Sequence, residues 1–350
     1  MVLTRLAASC SSLVVKEQKK RTTINFRKER MENTETITQI CQTIKAEISN
    51  AMIGQTEVVE QILIALIASG HVLIEGVPGL GKTLMVQALA KTFSGDFSRI
   101  QFTPDLMPSD VTGHVLYDMK SESFKVRKGP VFTNLLLADE INRAPAKTQA
   151  ALLEVMQEQQ VTLEGRSMPV SKPYMVLATQ NPIEQEGTYP LPEAQLDRFL
   201  FKVLINYPQN KEELQLVQHI TDKKLGDKLD VSNVKTCVNP ESIAKLQQHA
   251  ASLEIDEKVV QYAINIVRAT RKWPGISLGS GPRGGIALIR AARAYAVING
   301  CDFITPDDVK KITLPAMRHR IVLSPEMELE GVHVDRVLEN ILDKVEAPRN

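Results

Sequence analysis

The sequence predicts an α/β protein in which helices cover both faces of a parallel sheet, followed by a smaller all-α domain. Five short apolar runs alternate with helical segments up to Ile205, and continuously apolar strands are typical of a parallel sheet that is buried on both faces. A glycine-rich loop joins the first of these runs to a helix. After Tyr207-Pro208 the strand patterns end and only helical patterns follow.

The length of 350 residues suits two cores, because a single core seldom grows beyond about 250 residues. We expect residues 1–33 to form a disordered tail, since a basic run follows a short apolar stretch there. Residues 34–208 are predicted to be the α/β core, 209–234 a linker and 235–350 the helical domain.

The composition is that of an ordinary soluble protein, with 43% apolar and 24% charged residues. The net charge of +1 argues against a nucleic-acid partner, since such proteins show a basic excess, and we find no added DNA-binding domain or aromatic-basic cluster. No window is apolar for long enough to span a membrane. The four cysteines and six histidines are scattered without ligand spacing, which predicts reduced thiols, no metal site of their own and a cytoplasmic location.

The core elements follow from periodicity and apolar runs. Ile37, Ile40, Ile44 and Ile48 lie at helical spacing, and later segments show the same period. The predicted helices are Thr36–Asn50, Gln55–Ser69, Leu84–Ala90 and Pro145–Gln159, and the predicted sheet strands are His71–Glu75, Ser98–Phe102, Asn134–Glu140, Tyr174–Thr179 and Phe201–Ile205.

Two β-hairpins are predicted between the sheet strands. Val111–Tyr117 pairs with Phe124–Arg127, and Val161–Leu163 pairs with Ser167–Val170, because turn-forming residues separate the members of each pair. The proline-containing segment Pro104–Asp110 is predicted to be a loop. The later helices are predicted over Asn210–Ile220, Pro240–Ala251, Asp256–Lys272, Arg283–Ile298, Pro306–Arg320 and Val332–Val345.

The loop after the first strand fits the phosphate-binding pattern G-x-x-x-x-G-K-[ST] in its required strand–turn–helix context. Its glycines allow backbone N–H groups to converge on a phosphate, and the following helix adds its dipole. Lys82 would bridge the terminal phosphates, and the Thr83 hydroxyl would ligate Mg²⁺. The residues that we expect to bind the nucleotide are Gly76, Val77, Pro78, Gly79, Leu80, Gly81, Lys82, Thr83 and Leu84.

Polar residues end two further strands at the same predicted edge of the sheet. Asp139 can hold the magnesium ion and Glu140 can polarise an attacking water, although two acids can also simply solvate a strand end. Asn181 can orient that water without adding negative charge, or it can form an ordinary Asn-Pro turn. Their combination with a phosphate loop favours the catalytic interpretation.

Two arginines are candidates for contacts with the terminal phosphate. Arg198 precedes the last sheet strand and can act as an arginine finger on the nucleotide of a neighbouring subunit, or form a surface ion pair. Arg283 begins a helix of the second domain, where a cation opposes the helix dipole. We expect Arg283 to reach back over the nucleotide, so that domain closure depends on the phosphate state.

Together these residues resemble the MoxR family of AAA+ ATPases from about Ile37 to the C-terminal helices. The segments that carry the resemblance are the phosphate loop, Phe102–Gly113, Gly129–Phe132, Ala138–Pro145 with Lys147-Thr148-Gln149, Ala178–Pro182 and Leu191–Phe199. The resemblance implies the AAA+ αβα core with a five-stranded parallel sheet and a lid domain. It identifies Gly76–Thr83 as the Walker A loop, Asp139 and Glu140 as the Walker B pair, Asn181 as the first sensor, Arg198 as the arginine finger and Arg283 as the second sensor. It also places Ile53, Gly54 and Gln55 against the adenine.

The same resemblance implies a ring, usually a hexamer, with ATP and Mg²⁺ between subunits, and a chaperone-like role on a client protein, often one with a von Willebrand factor A domain. Our leading hypothesis is therefore an ATPase that moves its two hairpins to remodel a partner protein. A nucleic-acid-translocating ring ATPase and a magnesium-chelatase-like subunit remain alternatives. A small-molecule kinase would need an acceptor pocket, for which the sequence shows no signal.

Overall fold

A computed structural model describes residues 37–77, 79–182, 187–221 and 231–348. The predicted tail at 1–33 and the centre of the predicted linker lie outside the described residues. The strands are β1 (Val72–Gly76), β2 (Phe97–Gln101), β3 (Gly113–Asp118), β4 (Ser123–Lys128), β5 (Leu135–Asp139), β6 (Gln160–Leu163), β7 (Arg166–Pro169), β8 (Met175–Gln180), β9 (Phe201–Ile205), β10 (Ile276–Leu278) and β11 (Val322–Leu323).

The helices alternate with the sheet strands and then occupy most of the C-terminal region. They are α1 (37–51), α2 (Thr56–Ile67), α3 (Lys82–Thr92), α4 (Pro108–Thr112), α5 (Ala146–Glu158), α6 (Glu193–Leu196), α7 (Asn210–Thr221), α8 (Pro240–Ser252), α9 (Glu257–Thr270), α10 (Pro282–Ile298), α11 (Pro306–Met317), α12 (Pro325–Leu329) and α13 (Val334–Lys344). A short 3₁₀ helix, Ile141–Arg143, follows β5. Among the described helices, none is long and apolar enough to cross a membrane.

The central sheet has five strands in the order β2-β5-β8-β1-β9, and every neighbouring pair is parallel. The predicted parallel sheet is therefore confirmed. Because the strands are parallel, the ends of β1, β5 and β8 meet at one edge, and the starts of β1 and β9 meet at the opposite edge. A five-residue strand such as β1 separates these edges by about 16 Å.

Alternate strand residues pack into two apolar clusters, one on each face of the sheet, as the two-residue period of a strand requires. Val72 and Ile74 of β1 join the cluster formed by α1, α2 and α3. Leu73, between them, joins the cluster formed around α5. All three are fully buried, and burying each of these side chains contributes about 1.5–3 kcal/mol.

The C-terminal helices form a lid that packs against α2 and β9, so its buried residues belong to the same apolar cluster as one face of the sheet. The helical character of this region is confirmed. The antiparallel pair β10–β11 was not predicted. Its strands have three and two residues, too few for a strand period to show in the sequence.

Helix α4 begins in the segment predicted as a loop and extends over Val111 and Thr112, which were predicted to begin the first hairpin strand. Pro108 stands at the first helical turn, where its missing N–H costs nothing. Asp110 accepts a hydrogen bond from the backbone N–H of Met107 (2.8 Å), and Thr112 donates to the Pro108 carbonyl (3.0 Å). The prediction treated proline as a helix breaker, but here it begins a helix. Both predicted hairpins are present, as β3–β4 and β6–β7.

Candidate functional site

The glycine-rich loop connects the end of β1 to the start of α3, as predicted. Gly79 and Gly81 have φ values of 86° and 76°, which residues other than glycine rarely adopt. A Cβ atom on Gly79 would have no neighbour within 4 Å, so the loop borders open space. A Cβ on Gly76 would lie 2.6 Å from the Ile205 carbonyl oxygen, so the close approach to β9 requires glycine there. Pro78 lies outside the described residues.

Lys82 is a cation held inside this loop. Its Nζ donates to the Gly76 carbonyl oxygen at 2.5 Å. Burial lowers the pKa of Lys82, while the nearby carboxylates of Asp139, Glu140 and Glu75 oppose that shift. A half-buried ammonium group beside open loop backbone is suited to an anionic ligand such as a phosphate chain.

Asp139, at the end of β5, is bound on both carboxylate oxygens. Oδ1 accepts a hydrogen bond from the Thr179 hydroxyl at 2.6 Å. Oδ2 accepts from Nη2 and Nε of Arg99, at 2.7 and 3.1 Å. The carboxylate is therefore fixed in direction and neutralised by an arginine in this structure.

Glu140 follows in the left-handed backbone region, with a φ of 56°. Its backbone N–H donates to the Thr179 hydroxyl at 2.9 Å, so Thr179 connects both acids. Its Oε2 accepts from Gln101 at 2.7 Å and lies 3.2 Å from Nε of Arg143. The unusual backbone turn directs the two successive carboxylates to different partners.

These groups surround one cavity of about 390 Å³ at the carboxyl edge of the sheet. Asn181, which is 9% exposed, lies on its wall at the end of β8. The predicted residues that line the cavity are Gly79, Gly81, Lys82, Thr83, Leu84, Asp139, Glu140 and Asn181. The structure thus brings together the phosphate loop and the three polar residues at the strand ends.

The turn predicted to contact adenine lies beside this loop. Gly54 and Gln55 both have positive φ values, 76° and 60°, and the Gln55 side chain donates to the Asn206 carbonyl at 2.7 Å. A Cβ on Gly81 would lie 3.6 Å from the methyl carbon of Met52, the residue just before the turn. The turn at residues 53–55 therefore lies close to the phosphate loop.

Arg198 and Arg283 lie elsewhere. They line a separate cavity of about 330 Å³, together with Asp197, Arg290 and Arg320. This cavity is at the amino edge of the sheet, because it is also lined by His71, just before β1, and by Leu200, just before β9, whose backbone N–H donates to the His71 carbonyl. The expectation that Arg283 reaches over the nucleotide of its own chain is therefore not met. Its Nη1 instead lies 3.8 Å from Asp197 Oδ2.

Four residues that contact the acids were missed from sequence, and one of them, Arg143, lies in the 3₁₀ helix that follows Glu140. Arg99 and Gln101 stand on alternate positions of β2, and Thr179 lies in β8. Two polar residues at i and i+2 in a short strand were the available signal. The sequence pattern also indicated no role for Gln149. Its buried amide donates to the carbonyls of Ile141, Ala144 and Tyr189 at 2.9–3.1 Å, and so braces the chain after Glu140.

The hairpin β3–β4 exposes aromatic and basic side chains that sequence analysis did not combine. The rings of Tyr117 and Phe124 are 5.2 Å apart and edge-on, and both side chains are exposed, as is Met119. The basic residues of the hairpin are Lys120, Lys125, Arg127 and Lys128. The statement that the chain has no aromatic-basic cluster was therefore wrong. Lys125 is partly neutralised by an ion pair with Asp118.

The residues at the carboxyl edge fit a nucleoside triphosphate with Mg²⁺. The loop has open space where phosphates would lie, and Lys82 supplies a cation. Thr83 and Asp139 supply oxygen donors on the same cavity wall, which are the ligands that a hard divalent cation prefers.

Comparison with known proteins agrees with this arrangement. The family model described as "ATPase family associated with various cellular activities (AAA)" matches residues 71–201, and an AAA lid domain model matches residues 268–341. The Mycobacterium tuberculosis protein named Chaperone MoxR1 is 42% identical over 314 residues, covering 87% of this chain and 81% of that protein. Protein MoxR of Methylorubrum extorquens is 32% identical over 328 residues, covering 86% and 93%.

A solved structure gives the same result. The crystal structure of a Cytophaga hutchinsonii protein, described as a candidate ATPase, superposes with a TM-score of 0.84 at 40% sequence identity. The alignment covers 92% of this chain and 99% of that one. The similarity thus extends through the sheet and the lid.

Proposed function

Because the chain belongs to the MoxR family of AAA+ ATPases, we propose that it hydrolyses ATP at the interfaces of a ring of identical subunits. One observation carries the proposal. The residues suited to binding and activation lie at one edge of the sheet, whereas Arg198 and Arg283 lie at the other. Since these edges are about 16 Å apart, one chain alone does not bring them together. A head-to-tail ring would do so at every interface.

In this proposal the phosphate loop binds the phosphate chain of ATP, and Lys82 contacts its terminal groups. Thr83 and Asp139 would hold Mg²⁺, which neutralises charge on the phosphates. Glu140 accepts a proton from the attacking water, and Asn181 orients that water. Ile53, Gly54 and Gln55 would border the space that the base occupies.

The neighbouring subunit would supply the positive charge that the transition state needs. Arg198 acts there as an arginine finger, with Arg283 beside it as the second sensor. Both arginines line the same cavity. Asp197 directly precedes Arg198 in the chain and lies 3.8 Å from Arg283, which supports a shared role. The second sensor would therefore act on the neighbour's nucleotide and not on that of its own chain.

The work of the cycle is proposed to be chaperone-like, on a client protein such as one with a von Willebrand factor A domain, including insertion of its metal cofactor. The family relationship and the hairpin β3–β4 support this. Tyr117, Met119 and Phe124 present exposed apolar surface away from both cavities, and the hairpin β6–β7 lies next to β3. Exposed apolar groups of this kind commonly mark contacts with protein.

The same hairpin makes nucleic acid a second candidate partner, because exposed aromatic rings flanked by lysine and arginine are typical of single-strand binding. The two partners are distinguished by stimulation of ATP turnover. A client protein should stimulate it under the first proposal, and single-stranded DNA under the second. Added salt would strongly weaken the stimulation by single-stranded DNA but not the stimulation by a client protein, because binding to the phosphate backbone is electrostatic.

The proposed ring is tested with two variants. Glu140→Gln should bind Mg-ATP without turnover and assemble into a ring of about six chains, as measured by light scattering. Arg198→Ala should bind ATP normally but lose about a thousandfold or more in turnover. Arg336→Ala, which changes an exposed arginine in α13, is the matched control. Wild-type turnover by Arg198→Ala would contradict a finger role.

A further inference from the structure

The segment that carries Arg198 is bound by a single buried arginine of the lid. Arg320 donates from Nε to Asp197 Oδ1 at 2.8 Å. Its Nη2 donates to the carbonyls of Phe199 and Asp197, at 2.6 and 3.3 Å, and its Nη1 donates to the Leu200 carbonyl at 3.2 Å. Residues on both sides of Arg198 are therefore fixed by one side chain.

Arg320 is well suited to this task. Its side chain is 3% exposed, and only an arginine offers five donors in a rigid fork that can meet several acceptors at once. Burial lowers the pKa of Arg320 to about 10, while Asp197 opposes that shift. Arg320 is therefore still a cation at neutral pH, and its charge is compensated mainly by Asp197.

Neighbouring lid groups reinforce the connection. His319, the preceding residue, places Nε2 3.0 Å from the Phe199 carbonyl oxygen. Arg283 approaches the other carboxylate oxygen of Asp197. Asp197 thus lies between two arginines of the lid, directly beside the proposed finger.

We propose that Arg320 is a positioning residue for hydrolysis in the neighbouring subunit: with Asp197, it couples the lid to Arg198, so that the finger and Arg283 move as one unit. The inference rests on the proposed function. Arg320 does not touch the nucleotide. It fixes the backbone from which Arg198 extends, and a displacement of the lid is passed directly to the finger.

The chain offers a matched control in Arg318, two residues earlier. Arg318 is also a largely buried lid arginine, with a side chain that is 11% exposed. It pairs with Asp335 and donates to the Lys202 carbonyl of β9 at 3.2 Å. It therefore joins the lid to the sheet through hydrogen bonds to Asp335 and Lys202 and not through residues 197–200.

The test compares Arg320→Lys and Asp197→Asn with Arg318→Lys. Arg320→Lys and Asp197→Asn each keep the polarity and approximate size of the side chain, but each removes the contact between the guanidinium group and the carboxylate. We expect each to lower kcat at least about tenfold, because a small misplacement of a catalytic group costs up to about a hundredfold. The Kd for Mg-ATP should stay unchanged, since the binding residues are at the other edge of the sheet. Arg318→Lys should keep wild-type kcat.

A mixing experiment separates positioning from a general loss of structure. Glu140→Gln subunits cannot hydrolyse ATP but carry an intact finger segment. Added to Arg320→Lys subunits, they should restore turnover at the intact sites of the Arg320→Lys chains. Glu140→Gln subunits added to Lys82→Ala subunits should restore no turnover, because the Lys82→Ala site that faces the intact finger binds no ATP.

The outcomes discriminate between the two proposals. If Arg198→Ala keeps wild-type turnover, the finger and this inference both fail. If Arg198→Ala is inactive but Arg320→Lys and Asp197→Asn are normal, only this inference is overturned. It is also overturned if Glu140→Gln subunits fail to restore Arg320→Lys, or if Arg320→Lys weakens binding of Mg-ATP, because its role would then be structural.

Discussion

Thr179 connects the two acidic residues of the candidate site, and Thr179→Val tests that connection with little change of shape. The substitution removes the hydroxyl that donates to Asp139 and accepts from the Glu140 N–H. A hydrogen bond to a charged group contributes about 1.5–3 kcal/mol, and an unpaired buried N–H costs about 1–3 kcal/mol. Because Arg99 still holds Asp139, we expect a loss near the sum of the two lower limits, about 2.5 kcal/mol in the free energy of unfolding.

Thr179→Val should also weaken the binding of Mg²⁺, because Thr179 orients the Asp139 carboxylate. Removing a group that orients a ligand typically lowers metal affinity about 10- to 100-fold, so the Mg²⁺ concentration that half-saturates ATP binding should rise by that factor. Urea unfolding and fluorescent-nucleotide titration measure the two effects. Thr313→Val is the control, since its buried hydroxyl only donates to the Val309 carbonyl within α11. Equal destabilisation by both variants, with unchanged Mg²⁺ dependence, would refute the reasoning.

Two further predictions concern charged groups. Arg99→Gln frees Asp139 from its ion pair and should lower the Mg²⁺ midpoint of ATP binding about three- to fivefold, because a half-exposed pair is worth up to about 1 kcal/mol; a higher midpoint would contradict this. Burial lowers the pKa of His71 from 6.5 to about 4. As the pH falls, His71 is therefore protonated in the unfolded chain before it is protonated in the folded one. The folded protein should lose about 3 kcal/mol in the free energy of unfolding between pH 6.5 and pH 4. Urea unfolding against pH should show a shallower slope for His71→Asn, and equal slopes would contradict it.

The parts of the site that sequence predicts are those carried by one continuous segment. The phosphate loop is recognisable because strand, glycines and helix follow each other directly. Asp139, Glu140 and Asn181 were predicted to meet because the ends of parallel strands share an edge, and they line one cavity. Each inference needed only local pattern and the rule for parallel sheets.

The parts that sequence missed depend on register and on the position of the lid. Gln101 reaches Glu140 because β2 pairs with β5 so that Gln101 stands opposite Asp139. No local pattern states that register. Arg283 and Arg320 lie beside Asp197 only because α11 packs on β9 and α10 packs on α11 and α2, while both arginines are more than 80 residues away from Asp197 in the chain. The arginine that was predicted to close over the nucleotide is therefore at the opposite edge of the sheet.

The central claim is that each ATP site is completed by Arg198 of a neighbouring subunit, and mixing two inactive variants tests it most directly. Arg198→Ala chains keep an intact hydrolytic site, and Glu140→Gln chains keep an intact finger. In randomly mixed rings with independent sites, roughly a quarter of the sites combine the two, whatever the ring size. The account predicts that an equal mixture recovers about a quarter of the wild-type turnover rate. A mixture that stays as inactive as its components, while still forming rings, would contradict it.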